Sequence, residues 1–192
     1  LSVGSSILEV GSGPGYFASL LANKGYKVTP IELTSGAREY AKKYKKYDKI
    51  FHHDLENKNN PIYGKQFDCV ISWATIEHVK HPLKFINLLK SYSKKNGLIF
   101  IDTGVTNSFT RNIDSGYSKW LQPPWHLHVF SCNSIINVFK KNDLKIEFFD
   151  NKWNVKGLSY FKRFLRIIKI ILNFLNKIFK KKKRIQRYRK KT

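Results

Sequence analysis

The sequence predicts an α/β protein: a doubly wound, mostly parallel sheet with helices on both faces, followed by a C-terminal amphipathic helix. Three observations predict it. Short apolar runs alternate with helical patterns over residues 7–149, the signature of a parallel sheet covered on both sides. The first run, Ile7-Leu8-Glu9-Val10, opens directly into Gly11-Ser12-Gly13-Pro14-Gly15. Beyond residue 158 the apolar positions recur in steps of three and four, the period of one helical stripe.

The elements follow in order. Residues 7–10 form the first strand and 16–24 a helix; Gly25 leads into a second strand at 27–31. A helix over 35–45 takes Thr34 as its cap. Strands are expected at 50–53 and 67–72, then a helix over 82–93 that stops at Asn96-Gly97 before a strand at 98–102. A helix over 131–141, capped by Ser131, and a strand over 144–149 complete the domain. Residues 103–130 break the alternation, and a long loop in a compact domain is usually a lid or a binding loop.

Charge divides the chain. There are 36 Lys+Arg against 13 Asp+Glu, and 16 of the basic residues, with no acidic one, lie in 151–192. A mildly basic domain over 1–155 thus carries an intensely basic segment over 156–192, which suggests an anionic surface as partner. Cys69 and Cys132 give neither a disulfide framework nor a metal spacing, so a reducing, cytoplasmic compartment is expected. The chain holds no methionine and begins almost at the first strand, so a truncated N-terminus, lacking part of a substrate lid, is also expected.

The cofactor constellation rests on strand ends, because ligands of open α/β sheets bind beyond the carboxyl ends of the strands. Gly11, Gly13 and Gly15 permit a tight turn and close backbone approach to a ligand; an ordinary turn is the bland alternative. Glu32, about 20 residues on, ends the second strand where an acid accepts from ribose hydroxyls. Asp54 follows the third strand, placed to accept from an adenine amino group or to cap a turn. Glu9 sits inside an apolar strand and needs a partner, either loop amides or a ligand ammonium. Trp73 packs near adenine or the reacting methyl, or simply in the core.

These residues, with the Phe67–Val79 segment (Phe-Asp-Cys-Val-Ile-Ser-Trp-Ala-Thr-Ile-Glu-His-Val) and the strand at 97–102, resemble the successive motifs of class I S-adenosylmethionine-dependent methyltransferases. The similarity is greatest to the group containing ubiquinone-biosynthesis O-methyltransferases and small-molecule and glycan methyltransferases. It covers about residues 5–150 and implies a Rossmann-like fold, S-adenosylmethionine as cofactor and methyl transfer as activity. A dinucleotide dehydrogenase would share only the glycine turn.

For the chemistry, the resemblance implies that Glu77-His78 could hold a divalent metal together with a carboxylate three residues earlier. Ala74 occupies that position, so no metal is expected, and His78 is left as a general base or a capping side chain. His126 and His128 are two apart and would share a side of an extended segment, lining an acceptor pocket beside Trp120 and Trp125 or bonding the loop backbone. The segment after the fourth strand lacks the Pro-Pro-aromatic pattern of amino-methylating enzymes, and neither cysteine stands in a nucleophile motif. An oxygen acceptor on a small or lipid-linked molecule is therefore the favoured target, with a carbon or a small-molecule nitrogen left open. A domain that binds the cofactor without catalysis is an alternative.

The stripe Phe161, Phe164, Leu165, Ile168, Ile171, Leu172, Leu175, Ile178 and Phe179 shares its helix with lysines and ends in Lys180-Lys181-Lys182-Lys183-Arg184. Lys169 and Asn173 interrupt it, so it is not expected to span a membrane. Residues 158–184 are expected to lie on an anionic membrane surface, as a peripheral attachment at its inner face. Packing against the domain or a twin subunit, and gripping RNA phosphates, are the competing readings.

Overall fold

The computed structural model describes residues 1–43, 55, 57–105 and 124–146, and from Gly4 onward these belong to one compact unit, Gly4–Trp153. The expected strand at 50–53, Asp54 and the segment 156–192 lie outside the described residues.

Four strands, β1 (Ser6–Val10), β2 (Lys27–Ile31), β3 (Phe67–Trp73) and β4 (Ser93–Asp102), form a sheet in the order β2-β1-β3-β4. Every pairing is parallel. Parallel strands need crossover connections, and helices supply them: α1 (Tyr16–Asn23) joins β1 to β2, and α3 (Pro82–Ser91) joins β3 to β4. Helix α2 (Ser35–Lys43) follows β2, and α4 (Cys132–Lys140) follows the loop after β4. Ile7, Leu8, Val70 and Ile71 are consecutive pairs along β1 and β3, and all are buried, so both faces of the sheet are covered. One core joins Leu8, Val10, Val70, Ile86, Leu89 and Ile135 across strands and helices.

From β1 the chain steps to β2 on one side, then crosses to β3 on the other. That reversal opens a crevice beyond the carboxyl ends of β1 and β3. Val10 and Ser72 are register partners there, so the glycine loop and the segment after β3 face each other.

Two local expectations are corrected. Helix α3 ends at Ser91, and Asn96-Gly97 lies inside β4 instead of terminating the helix. Phe67 pairs with Ser93 but Cys69 with Leu98, so the intervening residues bulge out, with Asn96 at φ 64. The expected strand over 144–149 is not formed by its described part, residues 144–146, which follow a left-handed turn at Asp143 with φ 54. Finally, the segment that breaks the alternation returns to the sheet region through a parallel bridge between Val105 and Phe130.

Candidate cofactor and acceptor site

The glycine loop is built to turn. Gly11, Gly13 and Gly15 have φ of 74, 52 and 78, the left-handed region that residues with a Cβ rarely adopt. Gly11 and Ser12 both donate to the Ile31 carbonyl, at 2.9 and 3.0 Å, which pins the loop to the end of β2. A Cβ on Gly11 would collide with Thr75 Oγ1, so the loop backbone lies directly against the Thr75 side chain of the segment after β3. A Cβ on Gly13 would meet open space, which leaves that backbone accessible to a ligand.

Glu32 organises the crevice. Its Oε2 accepts from the Gly13 amide at 2.8 Å and its Oε1 from the Thr34 amide at 2.7 Å. Arg38 Nη1 donates to the Glu32 and Leu33 carbonyls, at 2.9 and 2.7 Å, and fixes the turn that carries this side chain. Each carboxylate oxygen keeps a second lone pair for a ligand hydroxyl. Ser12 Oγ, buried on the same loop, has no hydrogen-bond partner. A spare acceptor, an orphaned hydroxyl and an open glycine backbone fit the ribose and amino-acid parts of S-adenosylmethionine.

Glu9 lies beneath the loop, 2 % exposed. Its amide partner is Ala18, in the first turn of α1, not the glycine loop itself. Burial pushes its carboxyl up to about 8, against the lowering effect of that amide, and the charge of Glu32 adds to the rise. Trp73, at the end of β3, packs against Phe17 of α1 with ring centroids 6.1 Å apart.

On the β3–β4 side a second cluster gathers. Glu77 is buried; its Oε2 accepts from Thr103 Oγ1 at 3.0 Å, and its Oε1 has no hydrogen-bond partner. Its carbonyl accepts from the amides of Leu127 and His128, at 2.9 and 3.1 Å, which ties the loop 124–130 to the segment after β3. His78 Nδ1 bonds the Trp125 carbonyl at 2.7 Å, and its ring meets His126 edge-on at 4.8 Å. His128 takes another course: its Nε2 reaches the Lys80 carbonyl at 3.3 Å and its ring stacks on Phe130. The two histidines expected to share one side therefore separate, His126 toward His78 and His128 toward the backbone. Asp102 ends β4 here, and burial, then the charge of Glu77, pushes its carboxyl up to about 7. Sequence reasoning missed Asp102, Thr103 and Ser12; a carboxylate closing an apolar strand was the only local signal.

The carboxylate pair that the resemblance implied for a metal is incomplete, although one ligand atom from each of Glu77, His78 and His126 lies within 4.8 Å of the others. Ala74, at φ 44, offers no ligating atom where a second carboxylate would be required.

Residues 1–147 match the methyltransferase-domain family. Ubiquinone biosynthesis O-methyltransferases of Histophilus somni and Schizosaccharomyces pombe (the latter mitochondrial) are 30% and 32% identical over 104 residues, covering 50% and 52% of the chain. The match spans 44% and 38% of those two relatives, less than half their length. The enzyme of the same name from Rickettsia typhi is 26% identical over 191 residues, 90% of the chain and 77% of its own length. Among solved structures, S-adenosylmethionine-dependent methyltransferases of Mesorhizobium loti and Aquifex aeolicus share the fold. Their TM-scores are 0.60 and 0.56, at 16% and 17% identity, over 77% of the chain and 78% and 77% of their own. With a glycine loop at the switch point, an acid bridging it to the next strand and a family match over most of its length, the chain belongs to the methyltransferase-domain family, in the S-adenosylmethionine-dependent fold.

Proposed function

We propose that the protein transfers a methyl group from S-adenosylmethionine to an oxygen of a small-molecule or lipid-linked acceptor. The observation that carries this reading is Glu32, whose carboxylate joins the glycine loop to the end of β2 while keeping lone pairs for ribose hydroxyls. In this reading Gly11, Gly13 and Gly15 cradle the amino-acid part of the cofactor over Glu9, Asp54 takes the adenine amino group, and Trp73 borders the adenine or the methyl. The preference for oxygen draws on the O-methyltransferases among the relatives.

Methyl transfer is an in-line displacement. A bond forms from the acceptor oxygen to the methyl carbon as the carbon–sulfur bond breaks, and sulfur leaves with the electron pair as the thioether S-adenosylhomocysteine. The hydroxyl proton must also depart, so the enzyme supplies orientation and a proton route. Glu77 and His78, which follow Trp73 closely along the chain, and His126, whose ring meets His78, are the groups we assign to the acceptor hydroxyl. An anionic membrane surface, met through residues 158–184, is the proposed setting for a lipid-borne acceptor.

Methyl-labelled S-adenosylmethionine incubated with the protein and a native extract, then partitioned into organic, aqueous and RNA fractions, tests the reading. Label in the organic or aqueous small-molecule fraction is expected. Glu32→Gln replaces an acceptor with an amide donor facing two backbone amides, and a charged hydrogen bond is worth about 1.5–3 kcal/mol. Cofactor affinity measured by calorimetry should therefore fall roughly 10–100-fold. Unchanged affinity would remove Glu32 from the site; tight cofactor binding with no labelled product would make the chain a binding domain.

A further inference from the structure

We infer that Asp102 is the general base of the transfer, taking the proton of the acceptor hydroxyl while Glu77, His78 and His126 orient it. The inference rests on the methyl-transfer reading. Asp102 closes β4 and is the register partner of Trp73, which closes β3. Register partners on neighbouring parallel strands leave the sheet on the same face, and on that face Trp73 meets Phe17 of α1. One bond beyond the strands, the Ala74 amide donates to the Asp102 carbonyl at 3.0 Å. The backbone that carries the carboxyl is thereby fixed to the turn after β3, at the carboxyl edge of the sheet where ligands of this fold bind. Trp73, its neighbour there, is the residue that borders the adenine or the methyl in the proposed reading.

Among the described residues, the other carboxylates at this edge are committed elsewhere. Glu9 is 2 % exposed beneath the glycine loop and closed to an acceptor. Glu32 holds the Gly13 and Thr34 amides on the cofactor side. Glu77 is 3 % exposed, and Thr103 Oγ1 donates to it. Asp102 differs from all three. It is half-buried, so an acceptor has access to it, and its carboxyl has no hydrogen-bond partner among the described residues. His78 is a competing base, but it is exposed and lies five positions beyond Trp73, tied through Nδ1 to the Trp125 carbonyl.

The setting suits the task. Burial, then the charge of Glu77, raises the Asp102 carboxyl to about 7. Glu77 is the charged group that acts on it from the segment after β3; Trp73, Thr103 and Phe17, from β3, its own strand end and α1, carry no charge. A base poised near neutrality is ionised in useful amount and binds a proton more firmly than an exposed aspartate does. In the step itself, the hydroxyl proton passes to Asp102 as the acceptor oxygen bonds the methyl carbon. The carbon–sulfur pair leaves with sulfur, and the neutral carboxylic acid then returns its proton to water.

The test measures the initial rate of label transfer from methyl-labelled S-adenosylmethionine into the small-molecule and lipid fractions of a native extract, across about pH 5.5 to 9. The wild-type rate is expected to rise with pH through about 7. Asp102→Asn cannot take a proton, so its rate should be lower by about 100-fold or more and should lack that rise. Glu9, raised to about 8, is retained in the variant, so any dependence it causes survives. Affinity of the variant for S-adenosylmethionine, measured by calorimetry, should stay within about twofold, which shows a folded chain with its cofactor site intact. A rate within about threefold of wild type overturns the inference. So does a lower rate that keeps the wild-type pH dependence, the mark of a structural role, or a loss of cofactor affinity in step with the rate. A flattened profile in His78→Asn but not in Asp102→Asn would give the proton to His78. Wild-type protein that binds the cofactor and labels nothing at any pH removes the methyl-transfer reading and the base with it. That failure appears in the wild type, whereas failure of Asp102 alone appears only in the variant.

Discussion

At the scale of single residues, the site is held by carboxylates whose backbone partners are visible, and one of them makes folding sensitive to pH. Glu9 keeps its proton in the folded chain up to about pH 8, whereas the unfolded chain releases it near its ordinary value of 4.5. Between those limits the native state binds the extra proton, so its contribution is fully present below about pH 4.5 and is lost as pH rises through 8. Glu9→Gln keeps an acceptor for the Ala18 amide and carries no charge at any pH. Melting temperatures of wild type and variant should agree at pH 4.5 and diverge by pH 8, with the variant higher; parallel curves would contradict the buried, protonated state. Asp68 titrates in a separate window. The Lys94 ammonium and the Ser6 hydroxyl and amide hold its carboxyl down at about 2, so its contribution is present above the ordinary carboxylate range and is lost only as pH falls toward 2. Residues such as Gly11 and Glu32 were legible in the sequence because their roles are set locally, by a turn that needs left-handed φ and by the end of a strand. Glu77 and His126 were not legible as a pair. They are 49 positions apart, and only the amides of Leu127 and His128 on the Glu77 carbonyl bring them together.

At the scale of elements, the strand–helix alternation was readable because fully buried parallel strands appear as continuous apolar runs, as in Ile7–Val10 and Cys69–Ile71. Boundaries were readable only where capping chemistry is specific. Asn96-Gly97 fits the end of a helix and a bulge in a strand equally well; the pairing of Cys69 with Leu98 decided for the bulge. Helix α4 is the opposite case. Ser131 Oγ accepts from the Ser134 amide at 3.0 Å, and Ser134 Oγ accepts from the Ser131 amide at 2.8 Å. This is a reciprocal capping box with serine in the place usually taken by Glu or Gln, so the cap was legible and the box was not. Because α4 buries Ile135 in the common core, fraying at its first turn is felt by the whole domain. Ser131→Ala should cost about 1 kcal/mol. For a chain of this length the melting temperature should fall by about 2–4 °C, read by circular dichroism. Ser131→Asp, which restores an acceptor, should recover most of the loss; no change in either variant would mean the box contributes nothing.

At the scale of the whole molecule, the sheet order sets the crevice, and the charge is unevenly distributed along the chain. Among the described residues no helix is long and apolar enough to cross a membrane. The basic excess is concentrated in 151–192, where 16 Lys and Arg stand with no acid, while the rest of the chain holds 20 against 13. Phosphate-bearing polymers and anionic lipid surfaces both attract such a segment, but they reward different features of it. RNA binding is driven by counterion release and weakens steeply with salt; a lipid interface also takes up the apolar stripe from Phe161 to Phe179, whose contribution salt does not screen. Nine bulky apolar residues at helical spacing are more than phosphate contacts require, and on that pattern rests the proposal of a lipid surface. Sedimentation with vesicles of mixed neutral and anionic lipid should therefore capture the chain at low salt and retain part of it at 0.5 M salt. Replacing the five basic residues at 180–184 with glutamine should reduce capture at low salt more than at high salt, at about 1 kcal/mol of attraction lost per charge near the surface. Replacing Leu165, Ile168 and Leu172 with serine should abolish the salt-resistant fraction. Capture that vanishes completely with salt, alongside tight binding to RNA, would assign the segment to nucleic acid and move the proposed acceptor from a membrane to an RNA.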